Sequence, residues 1–271
     1  HYLCNPVRIV EKEGKVVGFL NFEEKKECDG GLGETTGEMG TTFIGVDETN
    51  SLFKEIMMRP KIAEVLRKIN YRGVFDINCI KTKDGVVALE ATSRFGVPAT
   101  SYEFIEGLDM PSHELLSIMA KGENKPISIK MGVGMVMVVA AKPFPAECDE
   151  GTSIGEKLWI LDNGTPIKDF SDEQKKHIHL ENFYKDGEDY KVATTNGYLL
   201  TVTGTGETIE DTRETLIKYI KDNLYISGQK YRCDIGKRVE ESSMGTVKER
   251  KQKLDAEYAK KVEEVQTKKQ Q

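Results

Sequence analysis

The chain has 271 residues, 38% hydrophobic and 31% charged, with a formal net charge of -6; that is enough apolar material for one sizeable core or two smaller ones. The acidic balance excludes a generic nucleic-acid binder, which needs a basic footprint to displace counterions, and no apolar run approaches the roughly 20 residues of a membrane helix. Five dispersed cysteines, Cys4, Cys28, Cys79, Cys148 and Cys233, predict free thiols in a reducing, cytoplasmic setting rather than a disulfide framework.

Residues 7–22 predict a strand pair turning at Lys12-Glu13-Gly14-Lys15. The run Asp29-Gly30-Gly31-Leu32-Gly33-Glu34-Thr35-Thr36-Gly37-Glu38-Met39-Gly40 follows, a glycine-rich loop that lets backbone pass close to a ligand and expose amide donors. Apolar residues at helical spacing over 50–69 predict a helix that breaks or restarts at Pro60. Gly73 to Ile80 alternates as a strand, Val86 to Thr92 forms a second, and Asp84-Gly85 supplies the turn that folds them into an antiparallel hairpin. An amphipathic helix is expected over 112–121, with a domain boundary near Pro126. Strands dominate 127–203, including the apolar run 131–141, with turns at Asp162-Asn163-Gly164, Asp186-Gly187 and Asn196-Gly197. In that stretch His177-Ile178-His179 puts two imidazoles on one strand face; lacking a nearby Cys or third His, it reads as a surface strand in preference to a metal site. Ile209, Leu216, Ile217, Ile220 and Leu224 form a helical stripe over 208–224. Residues 245–271, rich in Lys, Glu and Gln with a sparse apolar seam, predict an extended helix suited to pairing with a partner.

The hairpin carries the chemistry. Its second strand ends Glu90-Ala91-Thr92-Ser93-Arg94-Phe95-Gly96-Val97-Pro98, presenting a carboxylate, two hydroxyls and a guanidinium within five residues. Mg²⁺ takes hard oxygen ligands and keeps waters and substrate phosphates in its shell, so one or two side chains at a strand end suffice. Glu90 is the natural ligand. Asp76 and Asn78 share one face of the first strand by its period of two, within approach of the same ion. Arg94 would face a phosphate as a bidentate donor. The same residues also read as a solvated hairpin end.

The hairpin resembles the end of the nucleotide-binding half of ATP-grasp enzymes, specifically the glycinamide ribonucleotide synthetase (phosphoribosylamine-glycine ligase) family, whose signature there is Glu-x-Asn-x-Arg-Phe-Gly-Asp-Pro-Glu. Three more stretches match in order. Residues 29–40 resemble that family's substrate loop, which ends Asn-Thr-Gly-Gly-Met-Gly; 134–145 resemble the strand and aromatic-proline turn opening its C-terminal domain; 203–210 and 231–236 resemble its closing strand-helix unit and terminal motif. The resemblance implies an α+β chain with a partial ATP-grasp domain at 1–125, a mostly β C-terminal domain at 126–240 and an added helical tail at 241–271. It implies Mg²⁺ at Glu90, Asn78, Asp76 and Thr92, with Arg94 catalytic and Gly30, Gly31, Thr36, Gly37, Met39 and Gly40 at the substrate. The implied activity, within purine biosynthesis, is ATP-dependent ligation of a small carboxylate to an amine through an acyl phosphate. The family's N-terminal Rossmann-like domain has no counterpart here, so completion by further polypeptide or a partner chain, through 245–271, is expected. Departures also count: Thr92 stands where the family has Asn, Val97 and Ala99 where it has Asp and Glu, and Thr35 and Glu38 where its loop has Asn and Gly. They put phosphoribosylamine and glycine in doubt as substrates and support the alternative of a catalytically degenerate relative serving as an assembly or scaffolding component.

Overall fold

A computed structural model describes residues 9–12, 15–57, 59–82, 84–123, 125, 127–130, 132–146 and 151–241. The expected tail helix at 245–271, Cys4 and Cys148 lie outside the described residues. Strands β1 (Ile9–Lys12), β2 (Lys15–Cys28) and β3 (Leu32–Asp47) are followed by helices α1 (Ser51–Met57) and α2 (Pro60–Lys68), which restart at the proline as expected. Then come the hairpin β4 (Asp76–Thr82) and β5 (Gly85–Thr92), and helices α3 (Ala99–Gly107) and α4 (Ser112–Lys121). The remaining elements are β6 (Val133–Ala140), β7 (Lys157–Asp162), β8 (Thr165–Ile167), α5 (Gln174–His177), β9 (Ile178–Leu180), β10 (Phe183–Asp186), β11 (Asp189–Val192), β12 (Tyr198–Gly206), α6 (Ile209–Asn223) and β13 (Leu224–Tyr225).

One antiparallel six-stranded sheet, in the order β1-β2-β3-β6-β12-β9, forms the backbone of the molecule. It crosses position 126, the expected domain boundary, because β3 pairs directly with β6 through Gly40↔Met137 to Ile44↔Val133. Strand β6 is apolar throughout for a physical reason: both of its faces are covered. Met135, Met137 and Val139 meet Leu216 and Ile220 of α6 and Leu158 and Ile160 of the five-stranded sheet of β7, β8, β10, β11 and β13. Val136 faces the other way, into Phe19, Phe43 and Phe104. There Gly134 is required by close approach, since a Cβ would lie 1.9 Å from the Phe43 ring. That ring packs edge-on against Phe19 at 5.7 Å.

A third cluster fixes the position of the hairpin. Leu20 and Val46 of the large sheet, Phe53, Ile56 and Met57 of α1, and Ile77 and Cys79 of β4 bury one another. Full burial of such side chains stabilises by about 1.5–3 kcal/mol each, so a two-stranded ribbon that would be marginal alone is held against β2 and β3.

Helix α3 is held down by a polar network. The Glu106 carboxylate is buried, accepts from the Thr203 hydroxyl at 2.5 Å and lies 3.0 Å from His177 Nδ1. His179 Nε2 lies 3.0 Å from Thr203 Oγ1, and its ring stacks on Tyr102 at 4.3 Å. The expected surface strand at 177–179 is therefore corrected: His177 ends α5, β9 begins only at Ile178, and both imidazoles are half-buried because α3 covers them with Glu106 and Tyr102. Burial pushes the His179 imidazole down to about 4 from its ordinary 6.5. Between those values the folded state holds fewer protons than the unfolded one, so this contribution to stability is complete above 6.5 and is lost as pH falls towards 4. His177 has the opposite sign: Glu106 raises its pKa, so its contribution is present below 6.5 and fades as pH rises through the raised value. The destabilisation caused by His179→Gln is accordingly expected to be larger at pH 7.5 than at pH 4.5 in thermal melts, and a gap that stays constant across that range would refute the assignment.

Candidate functional site

Strand β4 sends Ile77 and Cys79 into the third cluster, which leaves Asp76 and Asn78 on its opposite face. Their direct cross-strand partners on β5 are Thr92 and Glu90. Immediately beyond, the register slips: Asn78 faces Glu90, but Cys79 faces Ala88, so Leu89 is an extra residue. A bulge of this kind re-aims the neighbouring side chains and is over-represented beside functional sites. Glu90 follows it directly. Asn78 Nδ2 donates to Glu90 Oε1 at 2.9 Å and to Thr92 Oγ1 at 3.4 Å, which gathers the polar ends of both strands.

The facing wall comes from β2 and β3. Glu24 pairs with Gly40 and Lys26 with Thr35, so residues 36–39 all lie opposite the single residue Lys25. The glycine-rich stretch is thus no free loop, as expected from its composition, but a wide bulge inside a long hairpin. Lys25 Nζ donates to the Gly37 carbonyl at 2.8 Å, and the Thr36 hydroxyl donates to the Lys25 carbonyl at 2.9 Å, so Lys25 spans the bulge. Glu38 is buried and accepts from the Thr41 hydroxyl; Glu23 pairs with Lys25.

Between the two walls lies a cleft of about 210 Å³ lined by Glu23, Lys25, Gly37, Glu38, Asp76, Asn78, Glu90, Thr92, Arg94, Gly96 and Val97. It brings Asp76, Asn78, Glu90, Thr92, Arg94 and Gly37 together from three separate stretches of sequence. A cavity of about 250 Å³ opens on the five-stranded sheet beside Trp159 and Tyr190. Its charged groups pair with one another, Lys157 with Asp189 at 2.7 Å and Lys168 with Glu188 at 3.1 Å, and it holds none of the residues singled out above. Size alone does not mark the chemistry.

The other expected substrate residues lie outside the lining of this cleft. Gly30 and Gly31 do not line the cleft: they form the tight turn joining β2 to β3, where the Gly30 N–H donates to Asp234 Oδ2 at 2.7 Å and Asp29 Oδ1 accepts from the Cys233 N–H at 2.8 Å. The hairpin tip thus clasps segment 231–236. Met39 is fully buried, and Gly40 lies beneath Ile235, where a Cβ would come within 2.7 Å of Ile235 Cδ1. The Thr36 hydroxyl is engaged by Lys25 as above. Conversely, the cleft recruits Glu23 and Lys25, which lie beyond the strand pair expected at 7–22 because β2 runs on to Cys28; their alternation places both on one face of β2, but the bulge that brings β3 over them has no local signature.

Asp76 is buried, its side chain 2% exposed, and among the described residues its Oδ1 has no hydrogen-bond partner. Burial, reinforced by Glu23 and Glu90 and opposed by a Thr92 hydrogen bond and Arg94, raises its pKa to about 6. Among the described residues no group of three or more His, Cys, Asp and Glu side chains assembles a metal cage. The donor set of Asp76, Asn78, Glu90 and Thr92 still suits Mg²⁺, which needs few protein oxygens when phosphates and waters complete its shell, and the unpartnered Asp76 Oδ1 is a hard acceptor in that set.

A carboxyl with raised folded pKa is destabilising once ionised, so its favourable contribution is present below 3.8 and lost as pH rises through about 6. Asp76→Asn should therefore stabilise the protein at pH 8, raising its melting temperature by roughly 2–4 °C, and the gain should disappear at pH 4. No gain at pH 8 would show that Asp76 is better compensated than its surroundings indicate.

No family model matches the sequence. The chain is 25% identical over 221 residues to phosphoribosylamine–glycine ligase of Lactococcus lactis subsp. lactis (strain IL1403), covering 80% of this chain and 49% of that protein. It is 23% identical over 233 residues to the protein of the same name from Caldanaerobacter subterraneus subsp. tengcongensis, covering 83% and 52%. Among solved structures, phosphoribosylamine–glycine ligase of Thermotoga maritima aligns with a TM-score of 0.59 at 19% identity over 86% of this chain and 55% of that one. Phosphoribosylglycinamide synthetase of Anaerococcus prevotii aligns with a TM-score of 0.50 at 14% identity, over 83% and 53%. The chain spans about half the length of the curated relatives it matches. In sequence and in fold it resembles that half of a phosphoribosylamine–glycine ligase, and its fold is of the ATP-grasp type.

Proposed function

We propose that this chain supplies one wall of the active site of an ATP-dependent carboxylate–amine ligase. The observation that carries the reading is the cleft itself, in which Asp76, Asn78, Glu90 and Thr92 stand beside Arg94 and opposite Gly37. In the proposed reaction a carboxylate oxygen attacks the γ-phosphorus of ATP and ADP departs, leaving an acyl phosphate. An amine nitrogen then attacks the acyl carbon, inorganic phosphate leaves and the nitrogen releases a proton. Glu90, with Asn78, Thr92 and Asp76, would hold Mg²⁺, which when bound neutralises charge on the phosphoryl oxygens. Arg94 directs a permanent positive charge towards the transferring group, where most catalysis of such transfers lies. Lys25, held over the bulge by the Gly37 carbonyl, adds a second cation to the same cleft. Because the matched relatives are about twice as long, the activity is proposed for the assembly in which further polypeptide, in the same or another chain, closes the clamp over the nucleotide and excludes water.

In that assembly Glu90→Gln should weaken Mg-ATP binding, and Arg94→Ala should lower kcat by about 10²-fold or more while leaving the melting temperature nearly unchanged. Calorimetry showing unaltered metal-dependent ATP affinity in the Glu90 variant would remove that residue from the site.

A second reading, a degenerate relative acting as an assembly component, is favoured by one observation: Val97, 63% exposed, lines the cleft where the resembling signature has a carboxylate. The two are separated by assaying ADP release with ATP, Mg²⁺ and panels of carboxylates and amines. The 271-residue chain alone should release none above background, the completed assembly should do so in a substrate-dependent way, and phosphoribosylamine with glycine should be a poor pair. Silence of the completed assembly on every pair would leave the assembly role, whereas rapid formation of glycinamide ribonucleotide would show that Glu38, Val97 and Ala99 are tolerated.

A further inference from the structure

Residues 36–39 lie opposite Lys25 outside the regular register of β2 and β3, and the register shifts again between Lys26 and Cys28. Lys25 bonds Glu23, the Gly37 carbonyl and the Thr36 hydroxyl, all within the same hairpin. Those contacts tie one strand to the other but leave open the course of β2 through residues 24–26, where a bulge adds twist to a strand. Arg232 meets that need from the face of β2 turned away from the cleft. Glu23 and Lys25 line the cleft, and Glu24, between them, points to the opposite face, where its carboxylate lies 3.3 Å from Arg232 Nη1. The same Nη1 donates to the Lys26 carbonyl at 3.0 Å, while Nε and Nη2 donate to the two oxygens of Asp234 at 2.7 and 2.8 Å. One planar group thus grips β2 a residue before and a residue after Lys25, and is itself held by the segment that clasps the hairpin tip.

We propose that Arg232 is a positioning residue for Lys25: by fixing residues 24 and 26 it sets where the Lys25 ammonium stands in the cleft, without touching anything bound there. The positioning stands on these contacts; only the ligand that Lys25 meets, the phosphates of ATP, rests on the ligase reading. Arg232 is 1% exposed, so water does not compete for its donors. A guanidinium buried among carboxylates gains little stability over apolar packing of the same volume. What its rigid fork of five donors supplies is direction. A lysine at this position would keep the charge, but it could not hold Asp234 through two parallel bonds and still reach both Glu24 and the Lys26 carbonyl.

The test is competitive acetylation of the 271-residue chain by acetic anhydride at pH 8, with the rate at each lysine read by mass spectrometry. Arg232→Lys and Asp234→Asn should each raise the rate at Lys25 by about fivefold, the restraint of roughly one hydrogen bond on its ammonium, while Lys157 and Lys168 on the five-stranded sheet keep theirs. An unchanged Lys25 rate in either folded variant would overturn the proposal. So would an equal rise at all three lysines, the mark of general loosening rather than of positioning. Either variant alone decides the case if circular dichroism shows the other unfolded. In the completed assembly, Lys25→Ala and Arg232→Lys should each raise KM for ATP with little change in kcat, and the double variant should be no worse than Lys25→Ala alone. Additive effects would show Arg232 acting independently of Lys25 and overturn the proposal as well. An assembly that releases no ADP removes the ligase reading and leaves the acetylation result standing, whereas unchanged acetylation removes the positioning role and leaves the ligase reading intact.

Discussion

Strand β3 has two obligations that no regular strand can meet at once. From Gly40 onward it must lie between β2 and β6, paired on both sides and buried, because the sheet is continuous only through it. Upstream, residues 36–39 must leave the ladder to form a wall of the cleft. The compromise is the bulge opposite Lys25, and it holds because side chains replace the missing ladder bonds: Lys25 spans it to Gly37, and Thr36 closes it from the other side. The tip of the same hairpin is in turn secured by Asp234 and Arg232, whose guanidinium is 1% exposed and bonds Asp234, Glu24 and the Lys26 carbonyl. Segment 231–236 thus acts on the site without touching it, by fixing the strand that carries the bulge.

Beside this wall stands a hairpin with no sheet of its own. Its attachment is apolar, through Ile77 and Cys79, and its working face is polar, through Asp76, Asn78, Glu90 and Thr92. The two faces alternate residue by residue, so any slip of register would exchange them. The extra residue at Leu89 lies where the polar face gives way to the turn, and pairing returns to regularity on either side. The result is a cleft in which Asp76, once ionised, destabilises the chain that bears it, an arrangement expected where a site is shaped for a ligand rather than for the stability of the fold.

The contrast with the network under α3 is instructive. Glu106 is also a buried carboxylate, but His177 and Thr203 satisfy it, and its pKa lies below the ordinary value. Asp76, at similar burial, keeps one oxygen without a partner among the described residues, and its pKa rises. Burial is common to both. The difference lies in whether the surrounding chain supplies donors, which is why the first group serves packing and the second is available to a ligand.

Much of this molecule is determined locally and was legible in the sequence. The helix at Ser112–Lys121, the break at Pro60, the stripe of α6 and the β4–β5 hairpin follow from periodicity, a missing N–H and a permissive glycine, all properties of neighbouring residues. Gly85, though, already pairs with Thr82 as the first residue of β5 and so lies one position past the tight turn. The polar ends of that hairpin were likewise visible, because alternation assigns Asp76 and Asn78 to one face whatever they pack against. Tertiary structure alone decided what lies opposite. Glu23 and Lys25 become cleft residues only when β3 bulges across them, and Gly30, Gly31 and Gly40 become packing residues only when segment 231–236 folds back onto the hairpin. Those contacts join residues some 200 positions apart, and no local pattern encodes which of several exposed glycines a distant segment will cover.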